Sequence, residues 1–451
     1  MIKVNDKEVK ELFLELRSTL HSKVDWQVEK RRVYDGKLTA STLNIALPKA
    51  FDGKLKTLLG WGGIAVDTLH SDLVFDGFRN DLLGFTRLLD SCRAWPVIDS
   101  AIRNALIGAC SFVTVLPGRG GLPVFTVYSG SEATALFDSS DGFIAGLVFV
   151  GNVDDRPGSM RVSMDRYLLF LSGIVLTVDG EGRVVDEWVA PTERLLFVPF
   201  IFNGDEAVEP FGKSRLNAAF VNSLESALRS LKLIEIGHDV RIAIRNVLLA
   251  DGTDPSGLSM GESSSDLSKL TTIFNSGTGS LKLEQLAGPS TSELQGMLSL
   301  IAGNAASAVQ MDASSFGFNP SNGSVSEGTL EQLGKPYRNL VRASREGFGQ
   351  AVKELALTGM DLATAGGYNR DWDLIQPVFR GGVPLSQFGA IADGLGKLSS
   401  VSTGIDFSRF IKEEVLGVSV RDEALLVELP DFSRAQERLK SFKSPAVKVT
   451  V

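Results

Sequence analysis

The sequence predicts an α+β chain in which strands and long helices occupy separate stretches. Three observations carry this expectation. From Phe125 to Phe202, short Val-rich runs are separated by turns such as Asp141-Gly142 and Asp179-Gly180-Glu181-Gly182, as antiparallel strands require. On both sides of that region apolar residues recur at helical spacing over lengths no strand reaches. No alternating βαβ pattern appears, so a doubly wound nucleotide-binding sheet is not expected.

Taken in order, residues 7–22 predict a helix with Val9, Leu12, Phe13, Leu16 and Leu20 on one face. Trp26 to Leu47 follows and holds Lys30-Arg31-Arg32-Val33-Tyr34-Asp35-Gly36. The basic triplet could touch nucleic acid, but a solvated helix face is the preferred reading. Residues 54–78 mix helical and strand character and end in a strand at Leu73–Phe78. Residues 82–109 predict a helical pair around Trp95-Pro96, then a strand from Ser111 to Leu116 and a Gly-rich turn. Further strands are expected at Phe143–Val150, Ser159–Met164, Tyr167–Phe170, Ile174–Val178, Val184–Val189 and Leu195–Phe200.

At Pro210-Phe211-Gly212-Lys213-Ser214-Arg215 the pattern turns helical, with Leu216, Phe220, Leu224, Ala227, Leu231 and Ile234 in register to near Gly237. That rod is about 30 Å long at 1.5 Å per residue. Residues 247–289 are loop-rich, with two short strands near Thr271–Phe274 and Ser280–Leu283. A helix from Ser292 to Val309 carries Leu294, Met297, Leu298, Ile301, Ala305 and Ala308. A polar break over residues 310–323 leads to a longer helix beginning near Ser326, with Leu330, Leu333, Tyr337, Val341, Phe348, Val352 and Leu355. Pro336 requires that this helix either start at Lys335 or bend there. After the Ala365-Gly366-Gly367 break come a short strand within Asp371–Phe379 and two helical stretches, Leu385–Leu398 and Phe407–Glu414. The basic end, Lys440–Val451, closes the sequence.

With 451 residues the chain can hold several cores, and 43% apolar with 22% charged residues is a globular balance. A net charge of −8 argues against tight phosphate neutralisation, though not against a surface past which DNA slides. Cys92 and Cys110 are expected to be free, buried thiols in a reducing compartment. There is no signal core and no run of about 18 apolar residues, so no membrane contact is expected.

The sequence offers little for catalysis. Gly212-Lys213-Ser214 is half of a phosphate-binding loop, but Ala207 stands where the first glycine belongs and Pro210 removes an amide donor. Gly118-Arg119-Gly120-Gly121 leads into a strand, and Ser129-Gly130-Ser131 has no nucleophile-elbow context. His21, His70 and His238 lack metal-ligand spacing. Asp154-Asp155 and Glu413-Glu414 are explained by turn and helix-surface roles. The expectation is a protein without catalytic residues, metal or cofactor. Scattered nuclease acids leave little sequence signal, so a metal-dependent hydrolase or nuclease with a β-rich core stands as the alternative.

The order of these segments resembles the bacteriophage portal protein, the head-to-tail connector of tailed double-stranded-DNA phages. Phe316-Gly317-Phe318-Asn319-Pro320-Ser321 is similar to the family's Asn-Pro-Ser-Ser stretch between two helices. It departs from the family pattern in placing Asn322-Gly323-Ser324-Val325 before Ser326-Glu327. Tyr34-Asp35-Gly36 after the first helix, Pro-x-Gly-x-Ser at 210–214 and Ile411–Ser419 near the end add to the resemblance. It implies a portal-type fold: a wing over 1–209, a stem helix over 210–246, a clip over 247–289 and a second stem helix over 290–309. A tunnel loop over 310–323, a spine helix over 324–369 and a helical crown over 370–451 complete it.

The resemblance further implies a homo-oligomeric ring of about twelve subunits at one capsid vertex of the virion, assembled in the host cytoplasm. Double-stranded DNA would pass through it during packaging and ejection. Terminase, capsid and scaffold proteins, and head-completion or adaptor proteins would be its partners. In that reading the polar, Lys- and Arg-free loop residues Asp312, Ser314, Ser315, Asn319 and Ser321 face the channel. Phe316 and Phe318 anchor the loop by apolar packing. Lys335, Arg338, Arg342 and Arg345 form a stripe for subunit or DNA contact, or else a solvated basic face. Gly296, Ala302, Gly303, Ala305 and Ala306 would allow tight helix packing. Another phage structural protein is the remaining alternative.

Overall fold

The computed structural model describes residues 6–38, 58–81, 83–118, 121–153, 164–205, 208–242, 246–251, 271–275, 282–285, 291–318, 334–367 and 374–380. The chain divides into two compact units, each assembled from separated segments: unit 1 from Met1–Val28, Val66–Arg215 and Asn339–Val451, unit 2 from Glu29–Ala65 and Leu216–Arg338.

Unit 1 is built on two antiparallel sheets. The five-stranded one is a meander of β4 (Ala133–Asp138), β5 (Gly142–Val153), β6 (Met164–Leu171), β7 (Ile174–Asp179) and β8 (Val184–Val189) in sequence order. The three-stranded one has the order β3 (Pro123–Ser129), β2 (Cys110–Pro117), β9 (Phe197–Ile201). Alternation along β5 shows how the layers are made. Ala145 and Leu147 face one side, where Val9, Phe13, Leu16 and Leu20 of helix α1 (Asp6–Tyr34) cover them. Val148 faces the other, with Phe170 and Val175, against Phe112, Leu196 and Phe197 of the second sheet. Gly146 lies in that second layer: a Cβ there would come within 2.5 Å of the Phe197 ring, so only glycine admits the ring.

Helices α3 (Phe85–Ser91) and α4 (Trp95–Gly108) are the pair expected around Trp95-Pro96, and α4 packs on β2 and β3. Pro96 falls in the first turn, where its missing N–H costs nothing. Ser111 Oγ donates to the Ala101 carbonyl at 2.7 Å and ties β2 to that helix. Helix α7 (Lys335–Ala363) buries Phe348, Val352, Leu355 and Ala356, with Phe348 stacked near Phe200 and Phe202. The short β1 (Phe75–Arg79) pairs antiparallel with β13 (Gln376–Phe379).

Unit 2 contains helices α5 (Ala218–Ile242) and α6 (Thr291–Ala308), packed against each other, and a three-stranded sheet. In that sheet β10 (Asn246–Asp251) is central, parallel to β11 (Thr271–Asn275) and antiparallel to β12 (Lys282–Gln285). The last turn of α1 and the first residues of α2 (Trp61–Ser71) also belong to this unit.

Three expectations need correction. The first helix does not stop near residue 22 but continues to Tyr34. Its middle looks polar, yet Gln27 and Lys30 point inward: Gln27 Nε2 donates to the Gly108 carbonyl at 2.7 Å and Lys30 Nζ to the Leu216 carbonyl at 2.6 Å. The basic triplet is therefore not simply a solvated face, since only Arg31 and Arg32 are exposed. Of the two alternatives Pro336 left for the long second helix, the structure has the start at Lys335, with Pro336 accommodated in its first turn. Within the chain, Gly296 and Gly303 mediate no close packing among the described residues, a Cβ at either meeting nothing within 4 Å, whereas Ala302, Ala305 and Ala306 are buried as expected. The expectations for Ser159 to residue 163, for the helix start near Ser326 and for the crown beyond residue 380 lie outside the described residues.

Candidate functional site

The candidate site is the end of the α5–α6 pair and the loop that follows α6. Asn217 builds the junction. As N-cap of α5 it accepts from the Phe220 N–H at 2.9 Å through Oδ1. Its Nδ2 donates to the Ala308 carbonyl at the end of α6 at 2.8 Å. One side chain thus satisfies an orphan donor of one helix and an orphan acceptor of the other.

Helix α6 closes with paired backbone bonds: Met311 N–H to the Ala306 carbonyl at 2.8 Å and Gln310 N–H to the Ser307 carbonyl at 3.1 Å. This geometry places Gln310 in the left-handed region at φ 54°, where glycine is usual. The chain then forms a 3-10 helix, Ala313–Phe316, capped by Asp312, whose carboxylate accepts from the Ser314 N–H at 2.8 Å. Gly317, at φ 85°, ends the turn.

Aromatic packing holds this turn down. Phe316 is buried, its ring 5.1 Å from Trp61 and 6.1 Å from Phe220. Phe318 meets the edge of Trp61 at 6.1 Å. Trp61 is seated in turn by Gly62: a Cβ at residue 62 would lie 2.3 Å from the Val33 carbonyl oxygen, so only glycine lets α2 approach the end of α1 so closely. Asp312, Ser314 and Ser315 remain exposed. The loop therefore has an apolar root and a polar, weakly anionic rim with no cation among its described residues.

The expected site residues divide accordingly. Phe316 is a buried anchor and offers no surface for contact. Asp312 spends one carboxylate oxygen on its own backbone, while Ser314 and Ser315 present hydroxyls outward. Asn319 and Ser321 lie outside the described residues. On α7, Lys335 and Arg338 are exposed, and Arg342 pairs with Glu346 at 3.3 Å one turn along the same helix. Arg345 is half-buried and engaged within its own chain. Its guanidinium donates to the Asp72 carbonyl at 2.9 and 3.0 Å and to the Arg380 carbonyl at 2.9 Å, bracing the ends of β1 and β13 within its own chain.

Two residues of the loop's support were not singled out by the sequence reading, Trp61 and Asn217. An Asn before Ala-Ala-Phe is a helix N-cap signal, so Asn217 could have been found. Nothing local marks Trp61, whose partners are remote in sequence.

Elsewhere the groups with chemical potential are engaged structurally. Ser214 Oγ donates to the Ile107 carbonyl at 2.6 Å, Lys213 N–H to the Phe202 carbonyl at 2.9 Å, and Lys213 Nζ pairs with Glu209 at 3.1 Å. The Gly212-Lys213-Ser214 stretch thus turns its donors to the protein and cradles no phosphate. His70 is buried against Asp99 at 3.1 Å, and His21 is exposed. Among the described residues no group of three or more His, Cys, Asp or Glu side chains is arranged to hold a metal ion, and no helix is long and apolar enough to cross a membrane.

No protein-family model matches the chain, and no curated protein does. Among solved structures, the chain is similar to one in the virion of a native gene transfer agent particle. The identity is 12%, the match covers 86% of this chain and 92% of that one, and the TM-score is 0.50. It is also similar to a chain in the neck of an empty gene transfer agent particle computed with C6 symmetry, at 11% identity, 83% and 94% coverage and TM-score 0.47. A chain in the neck of a native particle computed with C12 symmetry matches at 13% identity, 89% and 99% coverage and TM-score 0.46. At such identities the likeness is one of fold, and it is consistent with the portal resemblance carried by the sequence motifs.

Proposed function

We propose that this chain is the subunit of a portal ring, a closed homo-oligomer of about twelve copies at one capsid vertex, through which double-stranded DNA enters and leaves. The observation that carries the reading is the fold shared over 86% of the chain with a component of a gene transfer agent virion. The order of the portal-like motifs along the sequence supports it. In this reading the two sheets of unit 1 and α1 form the wing, α5 and α6 the stem, β10–β12 the clip, residues 310–323 the tunnel loop and α7 the spine. Terminase and adaptor proteins dock on the ring, and terminase supplies the ATP hydrolysis.

The loop's physics suits a conduit. Each Lys or Arg paired to a phosphate adds salt-dependent affinity, and a ring of such contacts would hold DNA in place. Asp312 repels phosphate weakly, and the serine hydroxyls offer only weak, exchangeable hydrogen bonds. Phe316 fixes the loop's root, so its rim keeps its position while DNA moves past.

Mass and shape test the reading. Twelve chains of 48.5 kDa weigh about 580 kDa, and negative-stain images should show rings with a central hole. A protein that stays monomeric at high concentration, alone and when co-expressed with its scaffold and capsid proteins, overturns it.

A further inference from the structure

We propose that unit 1 holds a binding site for a small organic cation, an ammonium or guanidinium on an apolar stem, in the seam between α1 and the five-stranded sheet. The periods of the two elements build it. On β6, alternation puts Asp165, Tyr167 and Leu169 on one face, and Phe149 of β5 stands opposite Tyr167 in the register. Val9, Phe13, Leu16 and Leu20 of α1 cover that face along most of its length. Past Leu20 the helix lines the seam with His21, Val24 and Asp25, and the seam opens into a cavity of about 410 Å³. That volume lies within the range of small-ligand sites.

The lining decides the ligand. Leu20, Val24, Phe149 and Tyr167 supply its apolar part, with the Phe149 and Tyr167 rings 5.2 Å apart. Asp25, exposed, comes from α1, and Asp165, half-buried, from β6. Among the described residues neither carboxylate has an ion pair or a side-chain hydrogen bond. The basic side chains nearby on α1 are committed elsewhere and do not line the cavity. Arg17 donates to the Gly180 carbonyl, and Lys23 Nζ lies 3.3 Å from the centroid of the Phe211 ring. Two unpaired carboxylates with no lysine or arginine in the lining select positive charge. The aromatic and aliphatic walls select a stem of methylene groups or a flat guanidinium. Arg17 already sits 5.9 Å from the centroid of Tyr167, so this aromatic cluster accepts a guanidinium. A bare metal ion does not fit, since Asp25, Asp165 and His21 are not arranged to hold one.

Calorimetric titration of the full chain at pH 8 and low salt tests the proposal, with agmatine and diaminopentane as probes and pentanediol as the neutral control. Both cations should bind with a Kd below about 1 mM, and the diol roughly tenfold more weakly or worse. Asp25→Asn and Asp165→Asn should each weaken the cations about fivefold or more, and together about 25-fold or more. The melting temperatures of these variants should match the wild type, since neither carboxylate has a partner to lose. Asp186→Asn removes an exposed carboxylate of β8 outside the cavity and should leave affinity unchanged, which separates the site from general attraction to an acidic protein. Bound agmatine should slow amide exchange in residues 20–25 and 165–167. Absence of binding by both cations overturns the proposal, as does equal affinity for the diol. So do Asp25→Asn and Asp165→Asn proteins that bind as tightly as Asp186→Asn, or protection that falls only elsewhere in the chain.

Discussion

Asn217 shows how much one residue can organise. Replacing it with Ala removes the α5 cap and leaves the Ala308 carbonyl without its donor, which should cost about 1–2 kcal/mol in urea unfolding. Asn217→Ser keeps a cap acceptor and loses the amide donor, so it should fall between wild type and Ala. Cys110 offers a second test at this scale. Burial pushes its thiol up from the usual 9.0 to about 11. The folded-state value lies above the unfolded one, so the stabilisation from keeping this thiol protonated is complete below pH 9. It is lost as pH rises toward 11. Unfolding midpoints should therefore drop between pH 9 and 11, and Cys110→Ala should flatten that part of the profile. Thiol reagents at pH 8 should modify Cys92, which is only partly buried, well before Cys110.

At the scale of elements, the loop after α6 depends on one ring. Phe316→Ala empties the space between Trp61 and Phe220 and should cost about 3 kcal/mol or more, with faster amide exchange across residues 310–318. Gln310→Gly should do the opposite, relieving left-handed strain and stabilising by up to about 1 kcal/mol in the same assay. Legibility in the sequence followed the range of the forces involved. Strands β5 to β8 of the meander could be read because Val runs and Asp-Gly turns are local signals, whereas no such run marked β4; at Pro336 the sequence narrowed α7 to a start at Lys335 or a bend there, and the structure has the start. The continuity of α1 was hidden because Gln27 and Lys30 are buried by carbonyl partners far along the chain. β10 was missed because its pairing with β11 and β12 is likewise non-local. In the site, Phe316 could be recognised as an anchor from the Phe-Gly-Phe run, but Trp61 could not, since only the folded chain brings it there.

For the whole molecule, both units are assembled from separated pieces of chain, and a few side chains hold the joins. Arg345 is one of them: its planar fork serves carbonyls of residues 72 and 380 together. A lysine ammonium is a compact donor without the planar fork that spans both carbonyls, so Arg345→Lys should lower stability by about 1–2 kcal/mol and loosen β1 and β13 in hydrogen exchange, with little change elsewhere. The β1–β13 pair has a further consequence, in the order of biosynthesis. Its two strands leave the ribosome roughly 300 residues apart, an interval of about 15–60 s at ordinary elongation rates. Through that interval β1 is in place while its partner strand has yet to be made, and all of residues 216–338, the larger part of unit 2, emerge in the meantime. The nascent chain therefore carries this pair unfinished through the whole of that interval, and the sheet edge of β1 waits on a strand made roughly 300 residues later.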